Sequence, residues 1–199
     1  TEDHKSPLAV FQIWYRVGPL YERSGKTGMS HLLEHMMFKG TPKYGSKELS
    51  RTVQKHGGTD NAFTTNDYTV YFQSLPSAKI GLSFDFESDR MRGLLINEKE
   101  TLAERDVVME ERRMRYEDDP QSSLYEDVQA AAYKVHPYQW PIIGWMSDLA
   151  NIKSPDLLDY YNKFYCPSNA VIIISGDVVA EDMVKKAGEY FSAIPPCTP

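Results

Sequence analysis

"LAVFQIWYRVGPLYERSGKTGMSHLLEHMMFKG", residues 8–40, changes its hydrophobic period halfway along. Residues 8–18 are rich in β-branched and aromatic side chains and run into Gly18-Pro19, which predicts a well-buried strand. Between Gly28 and Gly40, with Pro42 beyond, the apolar residues recur at helical spacing. Working outward, Ser46 reads as the cap of a second helix. Leu49, Val53 and His56 share one of its faces, and Gly57-Gly58 stops it. Residues 59–76 alternate like a hairpin turning at Asn66-Asp67. Helices follow at 77–95, 97–116, 122–134 and 154–165, with 135–145 a Pro- and Gly-containing loop. "NAVIIISGD", residues 169–177, reads as a buried strand, and residues 180–194 as a last helix before "PPCTP". Strands come in pairs and helices in runs, without strict βαβα alternation. The fold class is therefore α+β, a largely antiparallel sheet with helices packed on a face.

The chain has 199 residues, 41% hydrophobic and 25% charged, which suits one globular domain of generous size or two small ones. A net charge of −6 and the lack of a basic run give no nucleic-acid surface. No apolar run is long enough for a membrane span, the longest being Ala170–Ile174. Cys166 and Cys197 form no CxxC pair and no disulfide framework, and are given no role. The chain opens on Thr1 without a signal-peptide pattern and reads as an excised or processed piece.

His31, Glu34 and His35 stand at i, i+3 and i+4, on one face of the first helix. Two imidazoles one turn apart can grip one metal ion from the same side, and a glutamate between them can take a proton from water beside it. The spacing reverses H-E-x-x-H, and H-x-x-E-H is itself a zinc-protease signature. Chance also produces so short a motif, so a third ligand on another element is required. Glu104 and Glu111, two turns apart in "ETLAERDVVMEERRMRYEDD", share a helix face with Val107 and Val108 and are both candidates. Glu110, Arg112 and Arg113 read as a solvated charged face.

H-L-L-E-H at 31–35 with M-M-F-K-G-T after it, G-G-T-D-N-A-F-T at 57–64 and E-R-D-V-V-M-E-E at 104–111 resemble the pitrilysin/insulinase family of zinc peptidases, which includes mitochondrial processing peptidase. The resemblance covers nearly the whole chain and is closest to bacterial members. It implies one zinc ion per chain on His31, His35 and Glu111, with Glu34 as general base. It also implies Glu104 as a carboxylate supporting a ligand histidine. Asn61 and Ala62 would lie on a substrate-binding strand edge, with Phe38 and Phe63 as candidate substrate contacts. His4, His56 and His136 match no family ligand.

The function so implied is a zinc metalloendopeptidase acting on peptides or unfolded segments. The alternative is a non-catalytic relative that serves as an interaction or scaffold subunit. Since Glu34 and all three ligand positions are filled, the enzyme is the expected form. Family members normally carry a second, similarly folded half that closes the site. Residues 1–199 are thus expected to be one catalytic domain, truncated at both ends, whose partners are a peptide substrate and that half. "MRYEDDPQSSLYEDVQ" and "HPYQWPIIGW" resemble bacterial members that are often exported, so the periplasm is expected, with the cytoplasm as alternative.

Overall fold

The computed structural model describes residues 1–199. Four strands form one antiparallel sheet: β1 (Leu8–Tyr15), β2 (Thr59–Thr64), β3 (Thr69–Pro76) and β4 (Ala170–Gly176), in the order β2-β3-β1-β4. Eight helices follow the chain: α1 (Met29–Met36), α2 (Glu48–Lys55), α3 (Gly81–Gly93), α4 (Glu98–Arg112), α5 (Pro120–Ala132), α6 (Met146–Leu149), α7 (Ser154–Phe164) and α8 (Ala180–Phe191). The α+β class expected from the sequence is the one observed.

The central strand sets the layers. In β1 Ala9, Phe11, Ile13 and Tyr15 are buried, and the register puts Tyr71 beside Ile13 and Ile174 beside Phe11 on the same face. Period-two alternation therefore gives the sheet one apolar face, and α1 packs there through Leu32, Leu33 and Met36, all fully buried. Truncating either leucine to alanine should cost about 2–5 kcal/mol. The opposite face carries an aromatic group in which Phe63 lies 6.1 Å from Trp14 and 6.3 Å from Phe72.

Several local expectations change. Ser46 does not cap α2; Lys47 does so with φ 60°, and the Glu48 carboxylate accepts the Gly45 N–H at 2.6 Å. β4 is an edge strand rather than a buried one, with Val171 and Ile173 facing outward. Arg112 is buried, not solvated: its guanidinium donates to both oxygens of Glu126 at 2.7 and 2.8 Å and so ties the end of α4 to α5. Val107, expected to face inward, is exposed, while Val108 is buried.

Cys166 and Cys197 are joined by a disulfide across 31 residues, with Cα atoms 5.8 Å apart. Their separation in sequence hid this, because α7, β4 and α8 fold back on themselves and return the chain end to the start of β4. Ser168 reinforces the tie, accepting the Cys197 N–H and donating to its carbonyl.

Candidate metal centre and substrate cleft

α1 is held at its N-terminus from outside. The Glu22 carboxylate accepts the N–H groups of Gly28 and Ser30, both at 2.7 Å, and so satisfies helix donors that α1 cannot bond itself. Burial raises Glu22 to about 7, against those hydrogen bonds. Gly28 (φ 88°) also faces Gly144 (φ 86°) across a backbone contact that leaves no room for a Cβ on either residue. This close approach presses Ile142 and Ile143 against the helix as one wall of a cleft.

The cleft has a volume of about 540 Å³. Its floor is His31, Glu34, His35 and Glu111, and its far wall is Asn61–Thr64 of β2. Since β2 is an edge strand, this wall offers free backbone groups. The Ala62 N–H is covered by the side-chain oxygen of its neighbour Asn61 at 2.9 Å.

Within the floor, His31 Nε2 lies 3.8 Å from Glu111 Oε1, and His35 Nε2 lies 3.3 Å from Glu111 Oε2. One donor atom from each of these three residues falls within 4.8 Å of the others. Three atoms bound at ~2.1 Å to one tetrahedral ion stand roughly 3.4 Å apart, so the donor set fits a zinc ion in both spacing and chemistry. Behind it His35 Nδ1 meets Glu104 Oε1 at 2.9 Å, an arrangement that leaves Nε2 free to ligate. Lys39 pairs with the other oxygen of Glu104. Glu34 accepts the Thr64 hydroxyl at 2.5 Å.

The electrostatics are uneven across this cluster. Burial, together with the neighbouring His35, lowers His31 to about 4. Burial opposes a charge on His35 as well, but the carboxylates of Glu104 and Glu111 outweigh it and raise His35 to about 9. Glu104 falls to about 2 through its hydrogen bond to His35, with Lys39 assisting against burial. Glu111 is lowered by His35. Burial raises Glu34 above its ordinary range, against the Thr64 hydrogen bond. The pocket thus favours positive charge between its carboxylates while one imidazole stays neutral.

The residues named from the sequence separate in space. His31, Glu34, His35, Asn61, Ala62, Phe63 and Glu111 line the cleft, and Glu104 stands behind His35. Phe38 is outside the cleft lining, with its ring 6.2 Å from Tyr71 and 5.3 Å from the Arg90 guanidinium. Thr64, Arg115 and Lys39 were not anticipated. Each carried a signal: Thr64 shares a strand face with Ala62, Arg115 is one helical turn beyond Glu111, and Lys39 is one turn beyond His35. Nothing local marked Ile142 or Ile143.

Residues 1–144 match the family described as "Insulinase (Peptidase family M16)". The chain belongs to peptidase family M16. Residues 151–198 match the family's "Peptidase M16 inactive domain", a stretch that contains none of the cleft residues. Among M16 relatives, the zinc protease PqqE of Helicobacter pylori is 34% identical over 192 residues, 96% of this chain and 43% of that protein. A zinc protease of Bacillus subtilis, YmxG, is 30% identical over 91% of this chain and 44% of that protein. The chain therefore spans under half the length of these curated relatives. A crystal structure of an H. pylori protease superposes with a TM-score of 0.94 at 33% identity, covering 98% of this chain and 47% of that one. The periplasmic protease PqqL of Escherichia coli shares the fold with a TM-score of 0.89 at 24% identity, over all of this chain and 23% of that one. The M16 assignment makes this a metallopeptidase-family chain, and zinc is the metal in its relatives' names.

Proposed function

We propose that this chain is the catalytic half of a zinc metalloendopeptidase. His31, His35 and Glu111 hold one zinc ion, Glu34 is the general base, and the β2 edge receives an extended peptide. The observation that carries the reading is the convergence of two imidazole Nε2 atoms and the Glu111 carboxylate in a cleft that also holds Glu34 and a free strand edge.

Zinc, when bound, makes a water acidic and polarises a carbonyl. The remaining chemistry belongs to the chain. Glu34 accepts the proton of the attacking water as the water oxygen bonds to the peptide carbon. It then returns that proton to the amide nitrogen as the C–N bond breaks. Thr64, bonded to Glu34 Oε2, holds the carboxylate in place for both transfers. Glu104 fixes the ring of His35. Backbone groups of Asn61 and Ala62 pair with the substrate strand, which requires the Asn61 side chain to release the Ala62 N–H. Phe63 lies on the same edge strand and provides an apolar contact, while Phe38 packs on Tyr71 and Arg90 outside the cleft lining.

The chain's share of its relatives' length supports a second half that closes the cleft. So does α5, which buries no residue and exposes Leu124, Tyr125 and Val128. Residues 1–199 then act as one catalytic domain. The Cys166–Cys197 disulfide supports an oxidising compartment and favours the periplasm over the cytoplasm.

The test has two parts. Titration of the chain with zinc should saturate at one ion per chain; no uptake would remove the metal centre. With a quenched fluorescent peptide, the chain alone should cleave slowly or not at all. Adding the second half of the full-length protein should give turnover that a chelator abolishes. Full chelator-sensitive turnover by the chain alone would show that no second half is needed. Zinc uptake without turnover even then would favour the non-catalytic relative.

A further inference from the structure

Two cations stand around the candidate metal centre without entering it. Arg115 Nη1 is 2.8 Å from Glu111 Oε1, the oxygen that also faces His31. Lys39 is paired with Glu104 Oε2, while the other oxygen of Glu104 meets His35. Each carboxylate that converges on His35 is therefore tied by a cation at the oxygen that does not face His35. Each cation lies four residues beyond a residue of the cluster, Lys39 after His35 and Arg115 after Glu111. Arg115 also sits where α4 gives way to a π-turn, Arg113–Glu117, a widening of the helix often found at functional sites.

We infer that Lys39 and Arg115 are positioning residues that clamp the carboxylates of Glu104 and Glu111 so that the metal cradle is formed before the ion arrives. This rests on the metal centre proposed above. Glu111 has two oxygens serving two different imidazoles, and it does so only if its carboxylate plane is held between them. Arg115 holds that plane from one edge. Glu104 orients His35 only while its own oxygen is held, and the Lys39 side chain, 18% exposed, holds it from inside the protein. Tying outer groups in this way typically changes metal affinity by about 10–100-fold.

A clamp and simple electrostatics shift zinc affinity in opposite directions. A positive charge beside a cation site repels the ion, so removing it should tighten zinc binding if charge were all that mattered. If the cations clamp, removing them should loosen it. Arg113 supplies the control: it carries the same charge two residues away, but pairs with Glu110 at 2.7 Å on the exposed side of α4.

The experiment measures zinc affinity of the 199-residue chain by competition with a chromophoric chelator. Arg115→Gln and Lys39→Met should each weaken binding about tenfold. Arg113→Gln should leave it unchanged, and Lys39→Arg should restore most of the Lys39→Met loss. The visible spectrum of cobalt(II) bound to Arg115→Gln should differ from wild type, since a loosened Glu111 alters the ligand field. Arg115 is 68% exposed with Glu111 as its ion-pair partner, so this variant decides the matter should Lys39→Met fail to fold. Unchanged or tighter zinc binding by Arg115→Gln, with the wild-type cobalt spectrum, would overturn the clamp while leaving the metal centre intact. A wild-type chain that takes up no zinc would end both.

Discussion

Two charge clusters lie beneath the same sheet face and have opposite characters. Under β3, Glu87 is fully buried and Arg90 nearly so. Arg90 donates to both Glu87 oxygens at 2.6 and 2.8 Å, Gln73 adds a donor at 2.5 Å, and the guanidinium lies 4.3 Å from the centre of the Tyr71 ring. Every charge there is answered within the cluster. Around the cleft floor, Glu34, Glu104 and Glu111 face only Lys39 and Arg115 as permanent cations. A cluster whose charges neutralise one another has no place for an added ion and specifies a fold. A cluster left with inward-facing donors and surplus negative charge has a place for a cation.

The largest expected effect tests that contrast directly. Glu111→Gln should abolish zinc uptake at micromolar metal, whereas Glu110→Gln, whose carboxylate pairs with Arg113, should bind as wild type does. Equal losses in both, measured by metal titration, would mean that general negative charge rather than the cradle holds the ion.

On the structural side, Arg90→Met strands the buried Glu87 carboxylate. It should cost about 3–5 kcal/mol in urea unfolding, while the folded fraction keeps wild-type zinc affinity. A small stability loss together with a large affinity loss would erase the distinction between the clusters.

Glu34→Gln separates binding from chemistry within the cleft. Its amide matches the carboxylate in size but takes no proton. Cleavage by the complete enzyme should fall at least ~10²-fold while zinc content holds. Zinc lost along with activity would make Glu34 a ligand.

The smallest effect concerns a carboxylate of a third kind. Glu22 is buried against backbone N–H groups, with a folded-state pKa of about 7. An unfolded glutamate ionises near ~4.3. Between these values the folded chain keeps a proton that the unfolded chain has lost. The stability this group contributes is therefore fully present below the lower value and is lost as pH rises through about 7. Glu22→Gln cannot ionise and should flatten the fall of melting temperature with pH across that window. An unaltered slope would show that Glu22 titrates normally.

Much of this was legible locally. The strand–turn–strand pattern at residues 59–76 and a helix starting near Asn97 follow from short-range geometry. So does the common face of His31, Glu34 and His35, since rotation per residue in a helix is fixed by the backbone. Spacing along α4 offered both Glu104 and Glu111 without ranking them, because two turns return a side chain to the same face whatever lies opposite. Only the packing of α4 against α1 gives Glu104 to His35 Nδ1 and Glu111 to the Nε2 atoms of both histidines.

The sequence by itself determined the order and type of the main strands and helices, and that one helix carries two imidazoles and a carboxylate on a common face. Tertiary structure alone decided that Arg112 turns inward to Glu126, that Cys166 meets Cys197, that β2 and β4 are edges, and that Ile142 and Ile143 close a cleft over α1. The physical reason is range. Periodicity and capping act over three or four residues of covalently fixed geometry. Ion pairs, disulfides and strand edges depend on which distant segments the buried apolar face of the sheet draws together.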